Sequence, residues 1–197
     1  MEFHTFGNKE DRLAVLVHGM LTPWQIWEKA AERFSKEYYV IVPELDAHTE
    51  NEPSSFESIE DEAQIIKSYI MENADGKISL LCGLSMGGRI AATLAGLPEK
   101  QIPYYLKIAD NMELESIDKI SDSVFSKFEF KKYENVSRIL FMHGTKGTEA
   151  VSKKAANKMK EINSQTEIRC FKGYAHAELL CFKEDEWISE VNDWAIR

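Results

Sequence analysis

The ten residues Leu80-Leu81-Cys82-Gly83-Leu84-Ser85-Met86-Gly87-Gly88-Arg89 constrain this chain more than any other stretch. An apolar run enters Gly-x-Ser-x-Gly and leaves into Ile90 to Ala95, which is alanine-rich and helix-favouring. A strand that reverses this sharply into a helix holds its middle residue in a strained conformation. Gly83 and Gly87 let the two backbones pass without a Cβ between them. Ser85 then stands at a helix N-terminus, where backbone N–H groups stabilise negative charge. The pentapeptide also recurs by chance in glycine-rich loops, so the strand before it and the helix after it give it meaning.

The rest of the chain alternates in the same way. Leu13 to Val17 is a near-continuous aliphatic run, as expected of a strand buried on both faces of a parallel sheet, and it ends at His18-Gly19-Met20. Thr22-Pro23 reads as the start of a helix, threonine as N-cap and proline in the first turn, with Trp24, Trp27, Ala31 and Phe34 at helical spacing. Tyr38 to Val42 is the next strand, closed by Pro43, and Glu44 to Ser58 reads as a polar loop. Ile59 to Met71 is an amphipathic helix with Ile59, Ala63, Ile66 and Ile70 on one side. Beyond the Ser85 strand and helix, Tyr104 to Ala109 and Arg138 to Met142 are further strands, and Val151 to Ile162 is a helix. Glu167 to Phe171 is the last strand, and Glu184 to Ile196 a closing helix with Trp187, Val191 and Trp194 inward. Such alternation argues for an α/β fold, a parallel sheet covered on both faces. Ligands collect at the carboxyl ends of such strands. His18, Asp46, Ser85, Asp110, Gly144 to Glu149 and His176 all follow a predicted strand and are expected on one rim.

Composition removes other classes. At 197 residues the chain is expected to form one domain, with residues 111–135 as a short helical insertion. The formal charge of −9 and the lack of a basic stripe argue against nucleic acid as a partner. No apolar run approaches a membrane span, and the first residues lack a signal-peptide pattern, so no membrane partner and a cytoplasmic address are expected. Cys82, Cys170 and Cys181 suit reduced, packed thiols better than a disulfide framework or a zinc site.

Taken together, the ordered set resembles a compact α/β-hydrolase over nearly the whole chain. The likeness lies in the His18-Gly19 turn, in Pro43-Glu44-Leu45-Asp46-Ala47-His48 where that family often has Pro-Asp-x-x-Gly-His, in the Ser85 elbow, and in His176 before the last helix. The resemblance implies a mostly parallel central sheet with helices on both faces and a small lid at 111–135. It also implies Ser85 as nucleophile, His176 as general base, and the backbone N–H groups of Met20 and Met86 as an oxyanion hole. No metal and no organic cofactor is called for. His18 is expected to pin its turn and His48 to organise its loop. His18, Gly19, Trp24 and Met112 are expected around the substrate, with the lid phenylalanines adding apolar surface.

The third triad member departs from the family pattern. The family most often places aspartate three residues after the glycine that ends the seventh strand, and here Gly144-Thr145-Lys146-Gly147 puts glycine there. Asp110 and Glu149 are the two substitutes. Asp110 ranks ahead because it directly ends a strand, whereas Glu149 needs its loop to bend inward. The expected reaction is cleavage of a small-molecule carboxylic ester or thioester through an acyl-enzyme. Acyl transfer, a cofactor-free lyase step, or ligand binding by a non-catalytic relative are the alternatives on the same fold.

Overall fold

Strand β2 (Arg12–Val17) is an inner strand of the first sheet because its residues Leu13 to Val17 are apolar on both faces and all buried. The computed structural model describes residues 1–51, 53–96, 119, 130, 132–133, 136–147 and 149–196. They fall in two compact units, Met1–Lys127 and Phe128–Arg197.

In the first unit the sheet order is β1-β3-β2-β4, with β1 (Glu2–Phe6), β3 (Tyr38–Glu44) and β4 (Ile78–Gly83). Strand β2 pairs in parallel with β3 on one side and β4 on the other, and Val17 lies opposite Gly83. The carboxyl ends of β2 and β4 therefore meet at one edge. Leu13, Val15, Val17, Tyr39 and Ile41 form a core with α2 (Ile59–Asn73) and α3 (Met86–Gly96). Ile59, Ala63, Ile66 and Ile70 are the face of α2 that the sequence periodicity marks. Ser58 caps α2, accepting from the Asp61 N–H at 3.1 Å and donating its hydroxyl to Asp61 Oδ2 at 2.6 Å.

Two local expectations fail and one strand is new. Strand β1 is not anticipated; it runs antiparallel to β3, with Phe3 opposite Pro43. Its alternation is real but only five residues long: Phe3 stacks on Tyr69 at 3.7 Å, and His4 stacks on Trp24 at 3.7 Å. Pro43 does not close β3, because it lies beyond the stretch paired to β2 (Tyr38 to Ile41), where the missing N–H costs that ladder nothing. Thr22 does not cap a helix. Pro23 is extended, a 3₁₀ turn covers Trp24–Trp27, and α1 (Glu28–Phe34) follows, with Trp27, Ala31 and Phe34 buried.

The second unit holds a parallel pair, β5 (Ile139–His143) and β6 (Thr166–Cys170), with Ile139 opposite Thr166. Helices α4 (Glu149–Ile162), α5 (Glu178–Phe182) and α6 (Glu184–Ala195) accompany it. Trp187 and Val191 of α6 are buried and Trp194 half-buried, with the Arg138 guanidinium 4.5 Å over the Trp194 ring. The three cysteines are free thiols, but Cys170 and Cys181 are exposed rather than packed, since neither lies on the inward side of its element. Asp110 and the strand expected at Tyr104 to Ala109 lie outside the described residues, as do Met112 and nearly all of the expected lid. Among the described residues, no helix is long and apolar enough to cross a membrane.

His18, at the end of β2, is fully buried and neutral. Its Nδ1–H donates to Gly19 O at 2.9 Å, and its Nε2 accepts the Leu45 N–H at 3.0 Å. Burial lowers its pKa from 6.5 to about 4. The unfolded chain therefore takes up the proton first as pH falls. The stability His18 supplies is complete above about pH 6.5 and declines by about 3 kcal/mol on approach to pH 4. Urea unfolding of wild type and His18→Gln across that window is expected to show the difference between them shrinking as pH falls.

Candidate active site

Ser85 is held at φ +52°, in the left-handed region that a serine rarely occupies. The strain follows from the strand-to-helix reversal: Leu84 N–H donates to Val17 O at 3.0 Å, Gly87 N–H to Leu84 O at 2.8 Å, and Gly88 N–H to Ser85 O at 3.0 Å. The bend is thus bonded both to β2 and to itself, and Ser85 is left exposed. A Cβ on Gly83 would stand 2.3 Å from Gly87 O, and one on Gly87 would stand 2.2 Å from His18 O. Only glycine fits at either place. The Met86 side chain is buried in the core with Ile90 and Leu94, and its backbone opens the first turn of α3. Three residues before Ser85, burial pushes the Cys82 thiol up to about 12, so it stays protonated.

The turn after β2 lies directly against the serine. A Cβ on Gly19 would be 3.1 Å from Leu84 O and 3.3 Å from the Ser85 Cβ. Thr22 folds back on this turn: its hydroxyl accepts the Gly19 N–H and donates to Gly19 O, both at 2.9 Å. That use of Thr22 is why it does not cap a helix. Met20 and Leu21 are the central residues of the turn, Met20 packed against the core.

Of the residues expected around the substrate, His18 is placed elsewhere. His18 is 0% exposed and lines nothing; it is a structural strut, as its hydrogen bonds require. Trp24 has one ring face covered by His4, because the unanticipated β1 runs past it.

The turn after β3 is buried, and side chains satisfy its backbone. Leu45 N–H meets His18, Asp46 N–H meets Glu62 Oε2 at 3.3 Å, and Ala47 N–H meets Ser54 Oγ at 3.1 Å. Burial, with the Asp46 carboxylate beside it, raises the Glu62 carboxyl well above the usual range. Glu44 is buried too, accepting from His4 Nε2 and Glu50 N–H at 2.9 Å each. Sequence reasoning missed both acids, since nothing in a polar loop or a helix's first turn marks an acid as internal. Glu2, His4 and Glu44 bring three potential ligand atoms within 4.8 Å of one another. Both Glu44 oxygens are already engaged, one by His4 Nε2 and one by the Glu50 N–H, so the group is accounted for by those hydrogen bonds.

In the second unit, Glu149 is the first residue of α4 and only 3% exposed. Its Oε2 accepts the Gly144 N–H at 2.7 Å, and its Oε1 pairs with His176 Nδ1 at 2.8 Å and receives the Ser152 hydroxyl at 3.3 Å. No loop has to bend inward for this, contrary to the reason for ranking Asp110 first. The carboxylate folds back under the end of β5 from a helix N-terminus, where negative charge is favoured. Gly147 is at φ +60° with nothing near its Cβ position, so that residue turns the chain.

The loop bearing His176 is tied to the same corner. Thr145 and Lys146 N–H donate to Tyr174 O at 2.8 and 3.0 Å, and Gly173 N–H donates to Thr145 Oγ1 at 2.8 Å. A Cβ on Gly144 would meet Tyr174 O at 2.0 Å. At the end of β5, His143 Nδ1–H donates to Gly144 O at 2.7 Å, as His18 does to Gly19 O. A carboxylate on Nδ1 fixes the His176 tautomer, so that Nε2 carries the lone pair and can take a proton.

No protein-family model matches the sequence, and no curated protein sequence matches it. Solved structures do. One is a protein from Desulfitobacterium hafniense assigned to the α/β-hydrolase family: TM-score 0.77, 16% identity, covering 98% of this chain and 99% of that one. Another is MenH from S. aureus: TM-score 0.67, 16% identity, 97% and 96% covered. A third is a thermophilic esterase from Thermogutta terrifontis: TM-score 0.66, 16% identity, 98% and 92% covered. The chain has the α/β-hydrolase fold.

The two glycine requirements differ in kind, and unfolding measurements separate them. Gly87→Ala forces a Cβ onto the carbonyl of His18 and is expected to cost about 3 kcal/mol or more. Gly147→Ala meets no atom and pays only for its left-handed backbone, about 1 kcal/mol.

Proposed function

We propose that this protein is a serine hydrolase that cleaves a small carboxylic ester or thioester through an acyl-enzyme on Ser85. The observation that carries the reading is the His176–Glu149 pair: a buried carboxylate on Nδ1 of an exposed imidazole is the acid–base half of a triad. The left-handed backbone of Ser85 on its strand-to-helix bend is the nucleophile half. Esterases of the same fold, among them the Thermogutta terrifontis enzyme, lend support.

In this reading His176 Nε2 removes the Ser85 hydroxyl proton as Oγ attacks the substrate carbonyl carbon. The N–H groups of Met20 and Met86 hold the resulting oxyanion. His176 then protonates the departing alcohol or thiol, leaving Ser85 acylated. Water, deprotonated by the same imidazole, attacks the acyl carbon and releases the acid, and the proton returns to Ser85. The Glu149 carboxylate at Nδ1 stabilises the imidazolium. The non-catalytic alternative rested on the missing acid at residue 147. A buried glutamate already bonded to His176 supports the catalytic reading over it.

A fluorophosphonate probe is expected to label the wild type and not Ser85→Ala. With p-nitrophenyl esters of increasing acyl length, Ser85→Ala is expected to lower kcat by about 10⁶-fold and Glu149→Gln by about 10⁴-fold. Asp110→Asn, run alongside, is expected to fall far less. The opposite order would return the acid role to Asp110, and well-folded wild type that takes no label would end the hydrolase reading.

A further inference from the structure

Leu21 is at φ +55° and the residue is 74% exposed. A leucine in the left-handed region crowds its Cβ against the following carbonyl oxygen. Such strain persists only where the surroundings impose it. With its side chain in solvent, no burial of Leu21 offsets that cost, so the restraint must act on its backbone. The Leu21 N–H donates to His48 Nε2 at 3.0 Å, and His48 Nδ1–H in turn donates to Asp46 O at 2.9 Å.

This bond is one half of a reciprocal arrangement. His18, at the end of β2, accepts the Leu45 N–H from the turn after β3; His48, in the turn after β3, accepts the Leu21 N–H from the turn after β2. The rings meet edge to face with centroids 5.2 Å apart. Each imidazole spends Nδ1–H on a backbone carbonyl and Nε2 on an N–H of the other turn. The turn they secure is Gly19 to Thr22, which abuts Ser85 and whose other central residue is Met20.

We propose that His48 is a positioning residue for the oxyanion hole: with His18 it straps the two turns together and so fixes the Met20 N–H beside Ser85. The proposal rests on the serine-hydrolase reading for its catalytic consequence, and on the two histidine bonds alone for the strap. A donor aimed by its backbone acts on the oxyanion, which exists only in the transition state and the intermediates flanking it. A loosened turn therefore lowers kcat and leaves KM nearly as it was.

The test compares wild type, His48→Leu and His48→Gln. Glutamine carries an acceptor to the position of Nε2; leucine keeps bulk and loses it. Amide exchange read by NMR is expected to show Leu21 protected in wild type, unprotected in His48→Leu, and protected again in His48→Gln. With a p-nitrophenyl ester, kcat is expected to fall about 10- to 100-fold in His48→Leu, less than the about 10²- to 10³-fold of outright donor loss. KM is expected to stay within about 2-fold, with most of kcat recovered in His48→Gln and affinity for a trifluoromethyl ketone falling in step with kcat/KM. A Leu21 amide that exchanges freely in wild type overturns the strap. His48→Leu that loses protection and melts earlier, yet keeps kcat at 25 °C, overturns the positioning role and leaves His48 a stability residue. Wild type with Leu21 protected but no label and no turnover fails the hydrolase reading and the positioning role with it, while the strap stands.

Discussion

Two stretches of backbone cross at the end of β2 with no room for a side-chain atom between them. A Cβ on Gly87 would lie 2.2 Å from the carbonyl oxygen of His18 and 2.3 Å from that of Val17. Because α3 passes this close to β2, the chain between β4 and α3 must reverse within a few residues, and Ser85 takes the left-handed conformation as a consequence. The same closeness brings the Gly19 turn against the serine. Strain at one residue, contact with a second turn and the exposure of one hydroxyl all follow from that single approach.

Much of this was legible in the sequence because it is written in residue types that admit few conformations. Gly83 and Gly87 around Ser85 announce a crossing, and an aliphatic run such as Leu13 to Val17 announces a central strand. The face of α2 is read from Ile59, Ala63, Ile66 and Ile70 because burial repeats at the helical period. What escaped was set by partners distant in sequence. Strand β1 is an edge whose pairing to β3 is its reason to exist, and Thr22 looks like a helix cap until Gly19 is known to need its hydroxyl. Trp24 reads as a member of a helical stripe, yet His4 from the unforeseen strand takes its ring.

The pairing of Glu149 with His176 is the instructive case. Position counting from Gly144 finds a glycine where a carboxylate was wanted, and a residue two positions on looks too far away. The count fails because α4 begins at Glu149, and a helix's first residue can turn its side chain back toward the strand that precedes it. Gly144 N–H and His176 Nδ1 then hold the two oxygens of one carboxylate. Distance along the chain was a poor proxy for distance across a strand-to-helix corner.

One local form occurs twice. His18-Gly19 and His143-Gly144 both end a parallel strand, and in both the imidazole closes a small ring by bonding the carbonyl of the glycine that follows. The dipeptide behaves as punctuation carried by the strand itself. Each full stop is placed by chemistry within two residues, so the loops beyond can differ in length and partner without shifting where their strand finishes.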